Sequence, residues 1–308
     1  MMHIYLPVAH TSINLVVILL IGTGIGLLSG LFGVGGGFLI TPVLMMFGIS
    51  PVVAAASGAN QMVAASTSAT LTHWKLGNVD IKMGLILIAG SFIGGGLGVQ
   101  VVKVLSALGN ADFVIKLTYV LLPLTVGGFM LVESMKTLMG GSKGATRKQE
   151  GKESSLARFL RHLPMQMQFE KSNVTHSLLL PVFIGIAVGV LAAIMGVGGG
   201  FIMVPVMLYI LKMPMRVIVG TSVFQILFTV IEVTFLQSYS NHSVDFVLAL
   251  IMLIGSSVGA YVGTLLSEKL DTEQLKILLS LLILSVGVKI LVELISRPLV
   301  LLTYAGGK

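Results

Sequence analysis

Apolar residues run along this chain in long blocks that short polar stretches separate. Eight blocks approach the roughly 20 residues that a helix needs to cross the ~30 Å hydrocarbon core of a bilayer. Transmembrane barrel strands alternate polar and apolar residues, whereas these blocks are apolar on every face, so they predict helices. The pattern indicates an all-α, polytopic membrane bundle whose full spans are 13–32, 52–71, 83–102, 114–138, 178–195, 217–236, 246–266 and 275–295.

Two further apolar blocks, 38–47 and 201–211, are much shorter. At 1.5 Å per residue each reaches roughly 15 to 17 Å as a helix, which is about half of a membrane. A glycine-rich segment, GVGGG, joins each of them to the full-length block before it. We therefore predict eight full spans and two half-length helices.

An internal repeat relates the two ends of the chain. The segment 33–38, GVGGGF, recurs at 196–201, and the two prolines that follow it recur at the same offset of 163. Further along, Asp80 matches Asp245 at an offset of 165. Self-similarity of this kind indicates a duplication. We predict a first transmembrane repeat at 13–138, a connecting loop at 139–176 and a second repeat at 177–296.

The connecting loop carries seven Lys or Arg residues against three Glu. The positive-inside rule therefore predicts that it is cytoplasmic. If each short helix completes a crossing, each half has five spans, the N-terminus is periplasmic and the two halves are inverted. The lysines and arginines of the short loops then fall on the cytoplasmic side: Lys75, Lys82, Lys212, Arg216, Lys269 and Lys276.

The alternative is that the short helices re-enter, so that each half has four spans and the repeats are parallel. Under this alternative the lysines and arginines of the short loops no longer follow the positive-inside pattern. Arg297 and Lys308 in the tail, however, fit the inverted scheme poorly. We predict inverted repeats, with block 13–32 a retained first helix rather than a cleaved signal.

The glycine breaks are the first candidates for chemistry. Non-helical backbone is tolerated in a membrane only where it is buried in protein or lines a wet cavity. Two breaks in inverted halves, each followed by a half-length helix, are typical of secondary transporters with a midplane site. The N-termini of the short helices would offer N–H groups and a positive dipole end, which favours an anionic substrate. The backbone candidates are Gly35, Gly36, Gly37, Gly198, Gly199 and Gly200.

Polar side chains in the helix after each break are the second set. Amide and hydroxyl groups can bind an oxyanion without a buried charge. The candidates are Asn60, Gln61, Thr221, Ser222 and Gln225. Two alternatives stay open: the glycines only permit a tight turn or a close helix crossing, and the polar groups only form interhelical hydrogen bonds. The glycines spaced by four at 22–30, 90–98 and 255–263 are interpreted as packing positions.

One acidic residue, Glu232, lies inside a predicted span and has no acidic counterpart in the first half. Intramembrane carboxylates are costly and are commonly functional, so Glu232 is the candidate for proton coupling. The alternative is a position at the membrane interface.

Composition excludes several classes of function. Hydrophobic residues make up 55% of the chain and charged residues only 10%, far below the charged fraction of soluble domains. Cysteine is absent, which removes disulfides and thiol chemistry. The net charge of +7 is explained by loop topology rather than by nucleic acid. We find no nucleotide-binding or zinc-protease motif, so an enzyme, a cofactor or a bound metal is not expected.

The paired GVGGGF motifs, with GANQ in the first half and GTSVFQ in the second, resemble the sulfite exporter TauE/SafE family, also called TSUP or DUF81. The resemblance covers about 13–295. It implies a bacterial inner-membrane carrier of small sulfur-containing anions such as sulfite, thiosulfate or an organosulfonate. The glycine motifs correspond to 33–37 and 196–200, and the polar motifs to Asn60, Gln61, Thr221 and Ser222. The first half departs from the Thr-Ser pair of the second, because it carries Ala59 and Asn60 there.

The sequence as a whole predicts a secondary transporter that exports a small anion by alternating access at a midplane site. An anion channel and a non-transporting membrane assembly factor are the rival classes. The expected partners are the anionic substrate and the lipid bilayer, and a homodimer is left open.

Overall fold

A computed structural model describes residues 3–6, 11–139, 165–172, 174–241 and 246–296. Most of the predicted basic loop, 140–164, and Asp245 lie outside these residues. Within them the chain forms ten helices and two short hairpins, which confirms the all-α membrane bundle and its two half-length helices.

The first half contains α1 (Leu15–Phe32), α2 (Gly37–Met46), α3 (Pro51–Lys75), α4 (Ile81–Ala107) and α5 (Ala111–Met139). The second half contains α6 (Leu179–Met195), α7 (Gly200–Tyr209), α8 (Met215–Asn241), α9 (Phe246–Ser267) and α10 (Thr272–Ser296). The half-length helices are α2 and α7, with ten residues each.

In the described part of the chain, six helices are long and apolar enough to cross a membrane: α1, α4, α5, α8, α9 and α10. Of the other two predicted spans, α6 is apolar but has only 17 residues. Helix α3 is long, at 25 residues, but its Ser, Thr, Asn and Gln side chains make it less apolar. Most of α3 is buried among other helices, so these polar groups are shielded from lipid.

A two-stranded hairpin precedes the first helix of each half. Strands β1 (His3–Leu6) and β2 (Thr11–Asn14) pair antiparallel, with His3 opposite Asn14. Strands β3 (Gln166–Phe169) and β4 (Val174–Ser177) repeat this arrangement 163 residues later, with Gln166 opposite Ser177. The second hairpin lies in the stretch predicted as a loop. The duplication therefore includes the hairpins as well as the helices.

Helices α3 and α8 are counterparts in the two halves, and they run antiparallel. Contacts along them proceed in opposite directions: Ala65 clusters with Val223, Met62 with Ile226, and Ala59 with Val233. A repeat whose equivalent helices point in opposite directions is inverted. The inverted arrangement predicted from the loop charges is thus what the fold contains.

The most extensive helix contacts join one half to the other. Helix α1 runs parallel to α9, so that Gly22, Gly26 and Gly30 face the backbone of Met252, Ser256 and Ala260. Helix α4 packs on α6 in the same way, with Gly90, Gly94 and Gly98 facing Val182, Ile186 and Val190. A side chain at any of these glycines would collide with neighbouring backbone. Their interpretation as packing positions is therefore confirmed.

Candidate functional site

The two glycine breaks have the same backbone conformation. Helices α1 and α6 end at left-handed glycines, Gly33 and Gly196, whose N–H groups donate to Ser29 (3.0 Å) and Ala192 (2.8 Å). Helices α2 and α7 begin after left-handed glycines, Gly36 with φ +70° and Gly199 with φ +75°. A side chain at these two positions would be strained, which explains why glycine stands there.

The N-termini of α2 and α7 are buried and uncapped. Segments 33–42 and 196–205 are buried throughout, and neither N-cap glycine provides a side-chain hydrogen bond to its helix. The first N–H groups of a helix have no partner within the helix. Each break therefore presents N–H groups and the positive end of a helix dipole inside the protein.

The two breaks meet where α3 crosses α8. A Cβ atom on Gly200 would collide with the carbonyl oxygen of Val34, so the second break lies directly against the first. The side chains of Met62 and Ile226 pack against glycines of both breaks, including Gly35 and Gly198. Met62 and Ile226 therefore occupy the space between the breaks. The sequence analysis missed both, although each directly follows a glutamine that it had singled out.

Different side chains hold the two breaks. Ser222 donates its hydroxyl to the carbonyl of Gly33 at 2.6 Å and also contacts the carbonyl of Val219 at 3.0 Å. At the other break, Tyr119 and Thr41 donate to the carbonyl of Met195, at 2.8 and 3.4 Å. The sequences of the two halves also differ here, since the first half has an amide where the second has a serine.

That amide belongs to Asn60, which is half-buried. Thr221, the neighbour of Ser222, is engaged elsewhere: its hydroxyl accepts the backbone N–H of Asp80 at 2.9 Å. Asp80 in turn caps α4 through the N–H of Met83 (3.1 Å) and accepts a hydrogen bond from Ser172 in the second hairpin. Thr221 therefore fastens α8 to the beginning of α4.

The two glutamines next to the breaks differ in their hydrogen bonding. The amide nitrogen of Gln225 donates to Ser91 (2.8 Å) and Thr229 (2.7 Å), while its Oε1 has no partner. Gln61 is fully buried, and neither its Nε2 nor its Oε1 has a partner among the described residues. Buried polar groups are nearly always hydrogen-bonded. Gln61 therefore has unused capacity for both a donor and an acceptor.

Glu232 lies on α8, six residues beyond Ile226, which corresponds to about 9 Å along a helix. Its carboxylate lies against α4, where a Cβ atom on Gly95 would be only 2.8 Å from Oε2. The side chain is half-buried, and Oε2 is buried without a hydrogen-bond partner. Glycine at position 95 therefore provides the room that this carboxylate occupies.

A surface cavity of about 290 Å³ lies at the far end of α2, lined by Met45, Met46, Gly48, Lys289 and Glu293. It is formed by residues at the opposite end of α2 from the break. Within the described residues, no three His, Cys, Asp or Glu side chains are grouped as metal ligands would be.

The inverted helical repeat, with paired breaks at the crossing of its central helices, defines a polytopic membrane protein of the transporter type. Comparison with known proteins supports this class. The profile of the family described as "Sulfite exporter TauE/SafE" matches residues 18–290. The chain belongs to the sulfite exporter TauE/SafE family, as its motifs suggested.

Two bacterial relatives are similar over almost the whole chain. "Probable membrane transporter protein YunE" of Bacillus subtilis (strain 168) is 25% identical over 288 residues, covering 91% of this chain and 98% of that protein. "Probable membrane transporter protein YjnA" of the same organism is 25% identical over 277 residues, covering 89% and 98%.

A plant relative is similar over a shorter segment. "Sulfite exporter TauE/SafE family protein 1" of Arabidopsis thaliana is 34% identical over 91 residues, covering 29% of this chain and 20% of that protein. No solved structure matches the chain. The protein is thus a multi-pass membrane transporter of the TauE/SafE type.

Proposed function

We propose that this protein is a secondary transporter that exports a small sulfur-containing anion, such as sulfite, thiosulfate or an organosulfonate. The observation that carries the proposal is the meeting of two buried, uncapped helix N-termini against Met62, which directly follows Gln61, a fully buried glutamine without hydrogen-bond partners among the described residues. Helix N-termini attract anions, and an unsatisfied buried amide is costly unless something binds it. The name of the plant relative and the family description support the sulfur-containing substrate.

The binding groups in this proposal are the backbone N–H groups of 35–37 and 198–200 and the amide of Gln61. Asn60 adds a second amide from the half-buried side of α3. Ser222 and Thr221 already have protein partners, so they position the helices around the site. Gln225 uses its amide nitrogen for Ser91 and Thr229, while its Oε1 stays free. Met62 and Ile226 fill the space between the breaks and must withdraw when the anion enters.

The inverted repeat supports alternating access as the proposed transport mechanism. The pairs α1 with α9 and α4 with α6 are tightly packed units, each made from both halves. We propose that these two units move relative to each other about the crossing of α3 and α8. The site then opens to one side of the bacterial inner membrane at a time. The N-terminus and the 108–110 turn lie in the periplasm, and the 76–80 turn and the second hairpin lie in the cytoplasm.

The driving force in this proposal is an ion gradient, and Glu232 is the proton-coupling residue. A carboxylate whose Oε2 is buried without a partner can exchange a proton when its surroundings change. Its separation from the breaks means that it couples through the movement of α8 rather than by touching the anion.

The proposal is tested with the purified full chain in proteoliposomes. Labelled sulfite should enter vesicles that are preloaded with unlabelled sulfite, and the rate should saturate. Uptake that rises linearly with concentration and shows no counterflow would indicate a channel. No uptake and no anion-induced thermal stabilisation would favour the assembly-factor class.

Glycine substitutions are a poor test of the site. A Cβ atom on Gly36 would lie 2.8 Å from the carbonyl oxygen of Ile25, and one on Gly199 would collide with Val188. Both residues also have left-handed backbone, so any side chain there destabilises the fold whatever the function. Substitution of Asn60 and Gln61 separates binding from folding more cleanly.

A further inference from the structure

The helices around the breaks are almost free of charge. Helices α1, α2, α6, α7 and α9 contain no Asp, Glu, Lys or Arg at all. Helix α3 has only Lys75 at its last position, and α8 has Arg216 near its start and Glu232 near its outer half. Helix α5, which reaches the second break through Tyr119, carries Lys116 and Lys136. Among the described residues, however, no Lys or Arg side chain forms a hydrogen bond or ion pair with either break, so no fixed cation there neutralises a multiply charged ligand.

The positive potential at the breaks comes from backbone. Each helix N-terminus carries the equivalent of about half an elementary charge. The N-termini of α2 and α7 are both buried and both uncapped, so together they provide about one positive charge. This potential balances one negative charge on a ligand and leaves a second one uncompensated.

Gln61 and Gln225 directly precede Met62 and Ile226, the residues that pack against both breaks, and their free hydrogen-bonding groups are of both kinds. Gln61 offers a donor, Nε2, and an acceptor, Oε1, and Gln225 offers a second free acceptor, Oε1. A protonated oxyanion carries acceptor oxygens and one O–H donor, so it can satisfy both kinds of group. A fully deprotonated dianion has only acceptors, and its oxygens would repel the two amide carbonyls.

The cost of desolvation also favours a singly charged ligand. The cost of moving an ion into a medium of low dielectric constant rises with the square of its charge, while its attraction to a fixed potential rises only linearly. A dianion therefore costs about four times as much to bury as a monoanion of the same size, for about twice the attraction.

Resting on the proposed function, we infer that the site between the breaks selects singly charged oxyanions over doubly charged ones. Hydrogensulfite is the preferred form of sulfite, because it has one charge and one O–H donor. Alkanesulfonates are accepted as monoanions without that donor. Sulfate and the sulfite dianion are rejected. Thiosulfate, a dianion at neutral pH, is rejected as well, so the proposed substrates narrow to hydrogensulfite and singly charged organosulfonates.

The test compares three anions over the pH range in which sulfite changes from monoanion to dianion. Methanesulfonate stays a monoanion and sulfate stays a dianion across this range. Thermal stabilisation of the purified full chain by each anion gives the apparent affinity. Affinity for total sulfite should fall about tenfold for each pH unit above its second ionisation. Methanesulfonate affinity should stay constant, and sulfate should not bind measurably.

The methanesulfonate curve also controls for titration of the protein. Groups that can titrate on elements packed around the breaks include His73 on α3, Glu232 on α8 and Tyr119 on α5. Their titration would affect methanesulfonate as well as sulfite. Dividing the sulfite affinity by the methanesulfonate affinity at each pH therefore isolates the protonation of the ligand.

A charge substitution provides the complementary test. Asn60→Lys adds a cation on the half-buried side of α3, and it should raise affinity for sulfate relative to methanesulfonate at least tenfold. If this variant does not fold, the selectivity of the wild-type chain alone decides. Sulfate binding equal to that of methanesulfonate, or sulfite affinity that rises with pH, overturns the inference and leaves the proposed function standing. No binding of any anion at any pH overturns both.

Discussion

Replacing Gln61 by methionine should make the protein more stable and unable to bind its anion. Methionine has a similar length and no hydrogen-bonding requirement. In the wild-type chain the amide of Gln61 is fully buried with neither atom satisfied, and each such group costs about 1–3 kcal/mol. Removing the amide should therefore stabilise the unliganded protein by about 1–3 kcal/mol or more.

The assay is the unfolding temperature of the purified chain in detergent, with and without hydrogensulfite. A gain of this size raises the melting temperature by roughly 2–4 °C for each kcal/mol in a large domain. The wild-type chain should gain further stability from the anion, and the variant should not. A residue in a functional site commonly lowers the stability of the free protein, so the two effects are expected together.

Gln225→Met is the matched control. Gln225 is equally buried, but its amide nitrogen donates to Ser91 and Thr229, so the same substitution breaks two hydrogen bonds. The control should therefore destabilise the protein by about 1–3 kcal/mol. If Gln61→Met destabilises the chain as Gln225→Met does, Gln61 has partners in the folded protein, and the reasoning is wrong. A stabilised variant that still binds the anion would show that Gln61 does not contact the ligand.

Three further predictions concern coupling, orientation and the hairpin. Glu232→Gln should abolish the pH dependence of the counterflow rate of methanesulfonate, whose charge does not change over the tested pH range, while leaving anion binding intact; an unchanged pH profile would exclude Glu232 from coupling. Leu76 and Leu108 are both exposed in this cysteine-free chain. A single cysteine at position 76 should be labelled by an impermeant reagent from the cytoplasm, and one at position 108 from the periplasm. Labelling of both positions from the same side would contradict the proposed orientation. Asp80→Ala removes the cap of α4 and the acceptor for Ser172, and it should cost about 0.5–2 kcal/mol in thermal unfolding. A melting temperature equal to that of the wild type would show that this cap contributes little.

Much of the fold could be predicted from the sequence because membrane helices are determined by local composition. An apolar block of a given length has few alternatives in lipid. Four glycines within the five residues of GVGGG favour a break in the helix. The positive charges of the loops then predict that the two halves are inverted. The order of contacts between α3 and α8, from Ala65 with Val223 to Ala59 with Val233, agrees with the inversion.

The hairpins could not be predicted in the same way. Each strand has only four residues, too few for an alternating pattern to stand out. The available signal was the offset of 163, which relates His3 to Gln166 although the residue types differ. Side-chain types had diverged there while the backbone arrangement had not.

The site was predictable in its backbone and less so in its side chains. The left-handed backbone of the breaks requires glycine, so the glycine motif reveals their position in the sequence. The hydrogen-bond partner of a polar side chain leaves no such local motif. Ser91 lies 134 positions from Gln225, and nothing near either residue indicates that they meet. Which of the two glutamines has hydrogen-bond partners for its amide nitrogen therefore depends on how the two halves pack.

The packing of helices from one half on helices from the other has a consequence for biosynthesis. The glycine face of α1 packs on α9, so Gly22 can make its contact only after Met252 has been synthesised. More than 200 residues separate them, which takes roughly 10 to 50 s at ordinary rates of translation. During that time α1 sits in the bilayer with an unmatched groove, available to membrane chaperones or to a second nascent chain. Shortening the chain before α9 should therefore deprive α1 of its main packing partner.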